Sequence, residues 1–257
     1  MWHERSTPGN LAAELPPDML SDLRIRLTSQ IGDCDDLAMV DDSFFFAMPE
    51  LTGSRIRLEP LRYEHAVGYL AAAGSEEDAA EIFQWQSPPG GALARPVTVE
   101  DARAHVVAAL AARARGVRLP YAQIDVATGR FAGTTSFADP DPRLRTLAIG
   151  HTWLGRQWWG TGANAEAKLL MLSFAFESLA VVRVMLVTDV RNERARAAIE
   201  RLGATREGTM RKHRRRADGT WRDTLIYAIT DDDWPRVKDH LAGRLRPHPQ
   251  TTAPIAK

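Results

Sequence analysis

Polar and apolar residues alternate from Arg55 to Pro60, the two-residue period of a strand with one buried face. Tyr63 to Ala73 has helical spacing and ends near Gly74. Ser87 to Gly91, SPPGG, reads as a loop. Thr98 is followed three residues later by Asp101, a capping pair that predicts an Ala-rich helix running to Arg115. Three strands follow, at Tyr121–Val126, Arg130–Phe137 and Thr146–Leu154. Thr128-Gly129 turns the first pair, and Asp139-Pro140-Asp141-Pro142 breaks the second. A long helix is predicted from about Gly162 to Leu179, with Leu169, Leu172, Phe176 and Leu179 on one side. Beyond it lie a strand at Val181–Val190, a short helix to Leu202 and a hairpin turned at Asp218-Gly219. RDTLIYAITDDDW then supplies a closing strand and the start of a last helix. Interleaved strands and helices predict an α/β (α+β) fold around one mixed, mainly antiparallel sheet.

Residues 1–47 lack this order. They hold Pro16-Pro17, an acidic cluster (Asp33, Asp35, Asp36, Asp41, Asp42) and no sustained apolar period, so they are expected to form a weakly ordered extension. The main domain is placed at residues 48–246 and a flexible tail at 247–257. The 257 residues can bury a substantial core. The formal net charge is +0, so no overall field draws the chain to nucleic acid or membrane. The single cysteine, Cys34, leaves neither an intrachain disulfide nor a multi-cysteine metal site. No apolar run approaches a membrane span, and the expected compartment is the cytoplasm.

The chemistry is concentrated between Ile149 and Phe176, where a strand passes through a Trp/Gly-rich loop into the long helix. The N–H groups of a first helical turn lack intrahelical partners and lie at the positive end of the macrodipole. A strand–glycine loop–helix junction is therefore suited to an anion such as a phosphate.

This segment, with TDVRNERARAAIERLGATREG from Thr188 to Gly208 and with RDTLIYAITDDDW, resembles the GNAT superfamily of acetyl-CoA-dependent N-acetyltransferases. The similarity runs from about Leu51 to about Leu241 and is nearest the Rim-type, ribosomal-protein N-terminal branch. The resemblance implies an acyltransferase that moves acetyl from acetyl-CoA to a primary amine, on a protein N-terminus or a small molecule, without a metal. It also implies a monomer or homodimer. Two registers of the family's phosphate-loop pattern fit. One starts at Gln157 and uses Gly160 and Gly162; the other starts at Trp159 and brings Glu166-Ala167 onto the Glu-Ala of relatives. The second places the pyrophosphate cradle on the backbone of Trp159, Gly160, Thr161, Gly162, Ala163 and Asn164. Trp153 and Leu154 on the preceding strand are expected beside the cofactor. Asn192 matches a residue that contacts the pantetheine arm and is equally suited to an N-cap. Arg196 could reach a phosphate, with a solvated arginine the favoured reading.

The family's usual acid and base positions here hold Ala148, Ala195 and Ile199. His151 is the remaining candidate base, with an ordinary pKa near neutrality, although a histidine in that strand position also serves as packing. Tyr121 and Tyr227 read as core aromatics. Two other functions stay open: a catalytically silent acyl-CoA-binding module, and a nucleic-acid-associated protein using the basic run Arg211–Arg216. For that run a solvated strand and turn is the favoured reading.

Overall fold

The computed structural model describes residues 42–86, 95–216 and 218–245. The expected loop at Ser87–Gly91, the tail at 247–257 and all but the last residues of the N-terminal extension lie outside them. After a single helical turn, α1 (Asp42–Phe45), come strands β1 (Leu51–Thr52) and β2 (Ile56–Pro60). Helices α2 (Ala66–Ala73), α3 (Glu76–Phe83) and α4 (Val99–Ala114) follow. Next are β3 (Arg118–Asp125), β4 (Phe131–Asp141), β5 (Thr146–Leu154) and α5 (Ala163–Ser173). The chain closes with β6 (Arg183–Asp189), α6 (Glu193–Glu200), β7 (Thr205–Arg215), β8 (Trp221–Thr230) and α7 (Trp234–Leu245).

The eight strands form one sheet in the order β1-β2-β3-β4-β5-β6-β8-β7, and every neighbouring pair is antiparallel except β5–β6. The mainly antiparallel sheet flanked by helices is the fold class that the patterning predicted. Helices α2 and α4 pack on the β3–β4 side, with α3 beside them. There Tyr69, Phe83, Phe131 and Trp153 form one aromatic cluster. On the other face Phe137 meets Phe174, just beyond α5, and Phe176 stacks on Trp234 of α7.

Local chemistry explains the boundaries. Thr98 accepts from the Asp101 N–H and Asp101 returns the bond, so the predicted cap is present at α4. Helix α3, which the sequence reading passed over, starts from the same device at Ser75 and Asp78. Asp139-Pro140-Asp141-Pro142 does not end β4 where expected. The strand continues to Asp141 through an irregularity at Asp139, whose φ of 48° absorbs the bend. Core packing also begins upstream of Met48, because Phe45 is only 3% exposed.

Candidate active site

The site follows from how β5 meets its neighbours. It pairs in parallel with β6 only at Thr146–Ala148, although both strands continue well beyond. From Ile149 onward that edge of β5 faces a widening gap instead of β6. An open strand edge presents backbone donors and acceptors at regular spacing, which suits an extended polar ligand.

On its other edge β5 bulges. Thr134 pairs with Trp153 and Ser136 with Gly150, so the single residue Thr135 opposes both His151 and Thr152. His151 takes the strain, with φ 50°, a conformation costing roughly 1–3 kcal/mol for a non-glycine residue and found most often at functional sites. Its carbonyl accepts from Thr134 Oγ1 at 3.2 Å. The His151 side chain is exposed. Burial by surrounding groups, then the charges of Arg118 and Arg214, lower its pKa below the ordinary 6.5. The imidazole is therefore neutral at pH 7, free to accept a proton but a weakened base.

Beyond Leu154 the loop is clamped in place. Trp158 is 7% exposed and donates to Asp125, while Trp159 donates to the Leu154 carbonyl at 2.8 Å. Arg194 of α6 lies 3.6 Å above the Trp159 ring. Glu81 of α3 reaches both Arg194 (3.5 Å) and Arg156 (2.8 Å), tying α3, the loop and α6 together. Gly162 ends the loop as the N-cap of α5, with φ 88°, a left-handed value that glycine adopts without strain. The first-turn N–H groups at Ala163, Asn164 and Ala165 follow. Beside this helix start is a cavity of about 400 Å³ whose lining includes Ser54, Arg55, Arg130, Gln157 and Thr161 together with one carboxylate, Asp125, that is engaged by Trp158 and Thr128. Two arginines and a positive helix end make its mouth favourable for anions.

Two α5 side chains fix the helix against the sheet, and sequence reading gave neither a structural role. Glu166, 6% exposed, accepts from the N–H groups of Ser54 (3.1 Å), Arg55 (2.6 Å) and Ile56 (2.8 Å) and from Ser54 Oγ (2.7 Å). Burial opposes its ionisation, but these bonds outweigh burial and hold its pKa below the ordinary carboxylate value. Lys168, 5% exposed, donates from Nζ to Thr135 Oγ1 (2.9 Å) and Thr152 Oγ1 (2.8 Å), bracing the bulge from behind. Burial pushes its pKa down to about 7. Its place four residues before Leu172 and eight before Phe176, on the apolar stripe, was the sequence signal.

The other expected residues divide. Asn192 is the N-cap of α6, accepting from the Ala195 N–H at 3.0 Å. Arg196 turns inward and donates to the Val190 carbonyl at 3.3 Å. Trp153, expected beside the cofactor, is instead a core residue at 6% exposure, its ring 4.6 Å from Tyr69 and 5.0 Å from Phe83. The side chain takes the inner face of β5 there. Leu154 is buried too, and its carbonyl is taken by Trp159. Tyr121 and Tyr227 are fully buried, as core aromatics. Among the described residues no cluster of His, Cys, Asp or Glu could hold a metal.

Residues 55–205 match the acetyltransferase (GNAT) domain. That stretch is more than half of the sequence and contains the bulged strand, the glycine loop and α5. The chain belongs to the GNAT family. A candidate ribosomal N-acetyltransferase of Bacillus subtilis (strain 168), YdaF, is 30% identical over 110 residues, 43% of this chain and 59% of that protein. The [ribosomal protein uS5]-alanine N-acetyltransferase of Escherichia coli (strain K12) is 30% identical over 81 residues, 32% of this chain and 41% of that protein. The chain thus spans about half the length of these curated relatives. A solved structure of a candidate acetyltransferase from T. thermophilus is 37% identical with a TM-score of 0.67, covering 78% of this chain and 99% of that one. Ala148, Ala195 and Ile199 stand at the three positions where the resemblance implied an acid or base, which leaves His151 as the titratable side chain of β5.

Proposed function

We propose that this chain transfers an acetyl group from acetyl-CoA to a primary amine, on a protein N-terminus or a small molecule. The observation that carries the reading is the parting of β5 and β6 after Ala148, which opens a polar strand edge leading to the α5 N-terminus. Acetyl-CoA, when bound, supplies a thioester carbonyl for the amine to attack. The chain's own groups then have distinct tasks. The N–H groups of Gly160, Thr161, Gly162 and Asn164 hold the phosphates together with the helix dipole, while those of Trp159 and Ala163 are donated within the loop, to the Arg156 carbonyl and Thr161 Oγ1. The β5 edge orients the acyl arm and places N–H donors near the carbonyl oxygen, where negative charge develops. Asn192 and Arg196 border the gap from α6.

As the C–N bond forms, neutral His151 accepts the amine proton, directly or through water, and the thiolate released when the C–S bond breaks takes a proton from solvent. Its lowered pKa makes it a modest base, so positioning and carbonyl polarisation carry most of the rate. The names of the relatives favour a protein amine as acceptor. Among the described residues no helix is long and apolar enough to cross a membrane, and we place the activity in the cytoplasm. Turnover of acetyl-CoA with a panel of N-terminal peptides and small amines tests the reading. Acetylated product is expected. Tight acetyl-CoA binding with no product from any amine would favour a silent binding module, in keeping with Ala148, Ala195 and Ile199.

A further inference from the structure

The basic run at Arg211–Arg216 does not form a uniform solvated stripe. Arg216 is turned inward and binds Asp189 through two bonds of 2.6 and 2.8 Å. Arg215 lies over the Trp221 ring at 4.6 Å. Arg211, Lys212 and Arg214 are left exposed, and Arg214 stands opposite Arg222 on the adjoining strand β8. Its charge lowers the pKa of His151, after burial and alongside the charge of Arg118.

Arg118 approaches from β3. Its Nε donates to Ser136 Oγ at 2.8 Å, and Ser136 pairs with Gly150, the residue before His151. Arg118 of β3 therefore lies against the β5 bulge, and the charge of Arg214 on the β7–β8 hairpin acts on the same imidazole. Arg222 is half-buried and its Nε is buried without a hydrogen-bond partner. His213 adds a further titratable group, its Nδ1 3.1 Å from Thr224 Oγ1. The carboxylate felt by Arg222, Asp189, is already engaged by Arg216. Among the described residues none of Arg118, Arg214 and Arg222 forms an ion pair, although other arginines, such as Arg57, Arg156 and Arg216, do. An uncompensated group of cations stores repulsion that an anionic partner relieves, and it repels a cationic one.

We propose that the acceptor is an acidic peptide: a free N-terminal amine followed within two or three residues by carboxylates, held by Arg118, Arg214 and Arg222 beside His151. This rests on the reading of the β5 edge as the acyl site. Cations from two elements act on one point next to the candidate base, and Arg215 and Arg216 of the basic run are used internally. Those features suit a short acidic segment better than the repeated phosphates of RNA.

The test uses the full chain with three peptides alike except at positions two and three: Ala-Asp-Glu, Ala-Asn-Gln and Ala-Lys-Arg starts. Peptide binding by calorimetry and kcat/KM are both measured. The acidic peptide is expected to bind at least tenfold more tightly than the neutral one, with the basic peptide weakest, and the difference to shrink with added salt. Arg214→Glu, on an exposed part of the hairpin, should cut that preference below threefold while acetyl-CoA affinity stays within threefold of wild type. Arg118→Gln should raise KM for the acidic peptide more than it lowers kcat. Equal binding of the three peptides, or an unchanged preference in Arg214→Glu, overturns the proposal. So does salt-sensitive binding of an RNA oligonucleotide without any peptide preference. Acetyl-CoA titration of the same samples separates the two levels: normal binding without acidic preference refutes only the acceptor class, and no binding refutes the acyl site as well.

Discussion

Replacing Glu166 should destabilise the protein more than its position on a helix suggests. The carboxylate gathers three backbone N–H groups and one hydroxyl from the β1–β2 turn. Hydrogen bonds to a charged acceptor contribute about 1.5–3 kcal/mol each, and a buried donor left unsatisfied costs about 1–3 kcal/mol. In Glu166→Ala the Ser54 and Arg55 N–H groups can turn to water, since both residues keep solvent contact. Ile56 is 0% exposed, so its N–H remains unsatisfied. The expected loss is about 3 kcal/mol, and about 2 kcal/mol for Glu166→Gln, which keeps one acceptor oxygen. Urea unfolding at pH 7, followed by tryptophan fluorescence, measures it. The pH dependence has a definite sign. The folded-state pKa lies below the ordinary 4.5, so this stabilisation is fully present above that value and is lost as pH falls through the folded pKa. The gap between wild type and Glu166→Gln should therefore close in acid. A loss under 1 kcal/mol for Glu166→Ala would refute the reasoning.

Lys168→Met should change the pH profile of stability. The native amine titrates at about 7 instead of 10.5, so the unfolded state binds more protons between those values and wild-type stability rises with pH across that window. Denaturation at pH 6.5, 8 and 9.5 should show this rise missing in the mutant, and parallel profiles would contradict it. His151→Ala should lower kcat/KM by roughly 10²-fold with acetyl-CoA affinity nearly unchanged, as checked by steady-state kinetics and calorimetry; equal rates would leave deprotonation to solvent. A chain starting at Met48 should melt several degrees lower than the full chain. It loses Phe45, whose burial contributes about 2 kcal/mol, and an unchanged Tm by calorimetry would show those contacts to be dispensable.

Periodicity and punctuation made much of the fold legible. The strand at Thr146–Leu154 has the predicted limits, and the Thr98 cap and the hairpin turn at Gly219 are where residue chemistry put them. Such features depend on neighbours in sequence. The misses depend on neighbours in space. Trp153 looked available because a strand's face is not written in its own residues, and only the packing of Tyr69 and Phe83 shows that it points inward. Lys168 was hidden by the usual expectation that lysines seek water. Its partners Thr135 and Thr152 come from two different strands. Arg118 and Arg214 lie 96 positions apart, and only the sheet order and the bulge bring their charges to His151. The β4 bend at Asp139 shows the converse: two prolines suggested an end, but a positive φ carried the strand past the first of them, Pro140, to Asp141.

The parting of β5 and β6, together with the start of α5, is the proposed seat of acetyl-CoA. Isothermal titration of wild type and Asn164→Asp tests it most directly. Asn164 lies in the first turn of α5 and is half-buried. The change is isosteric and puts a negative charge where a helix favours one, contributing about 0.3–1 kcal/mol to stability, so misfolding cannot imitate lost binding. One acetyl-CoA site is expected in wild type, and affinity at least tenfold weaker in the mutant, about 1.4 kcal/mol, with Tm equal or higher. No binding by wild type, or equal affinity in the two proteins, would contradict it.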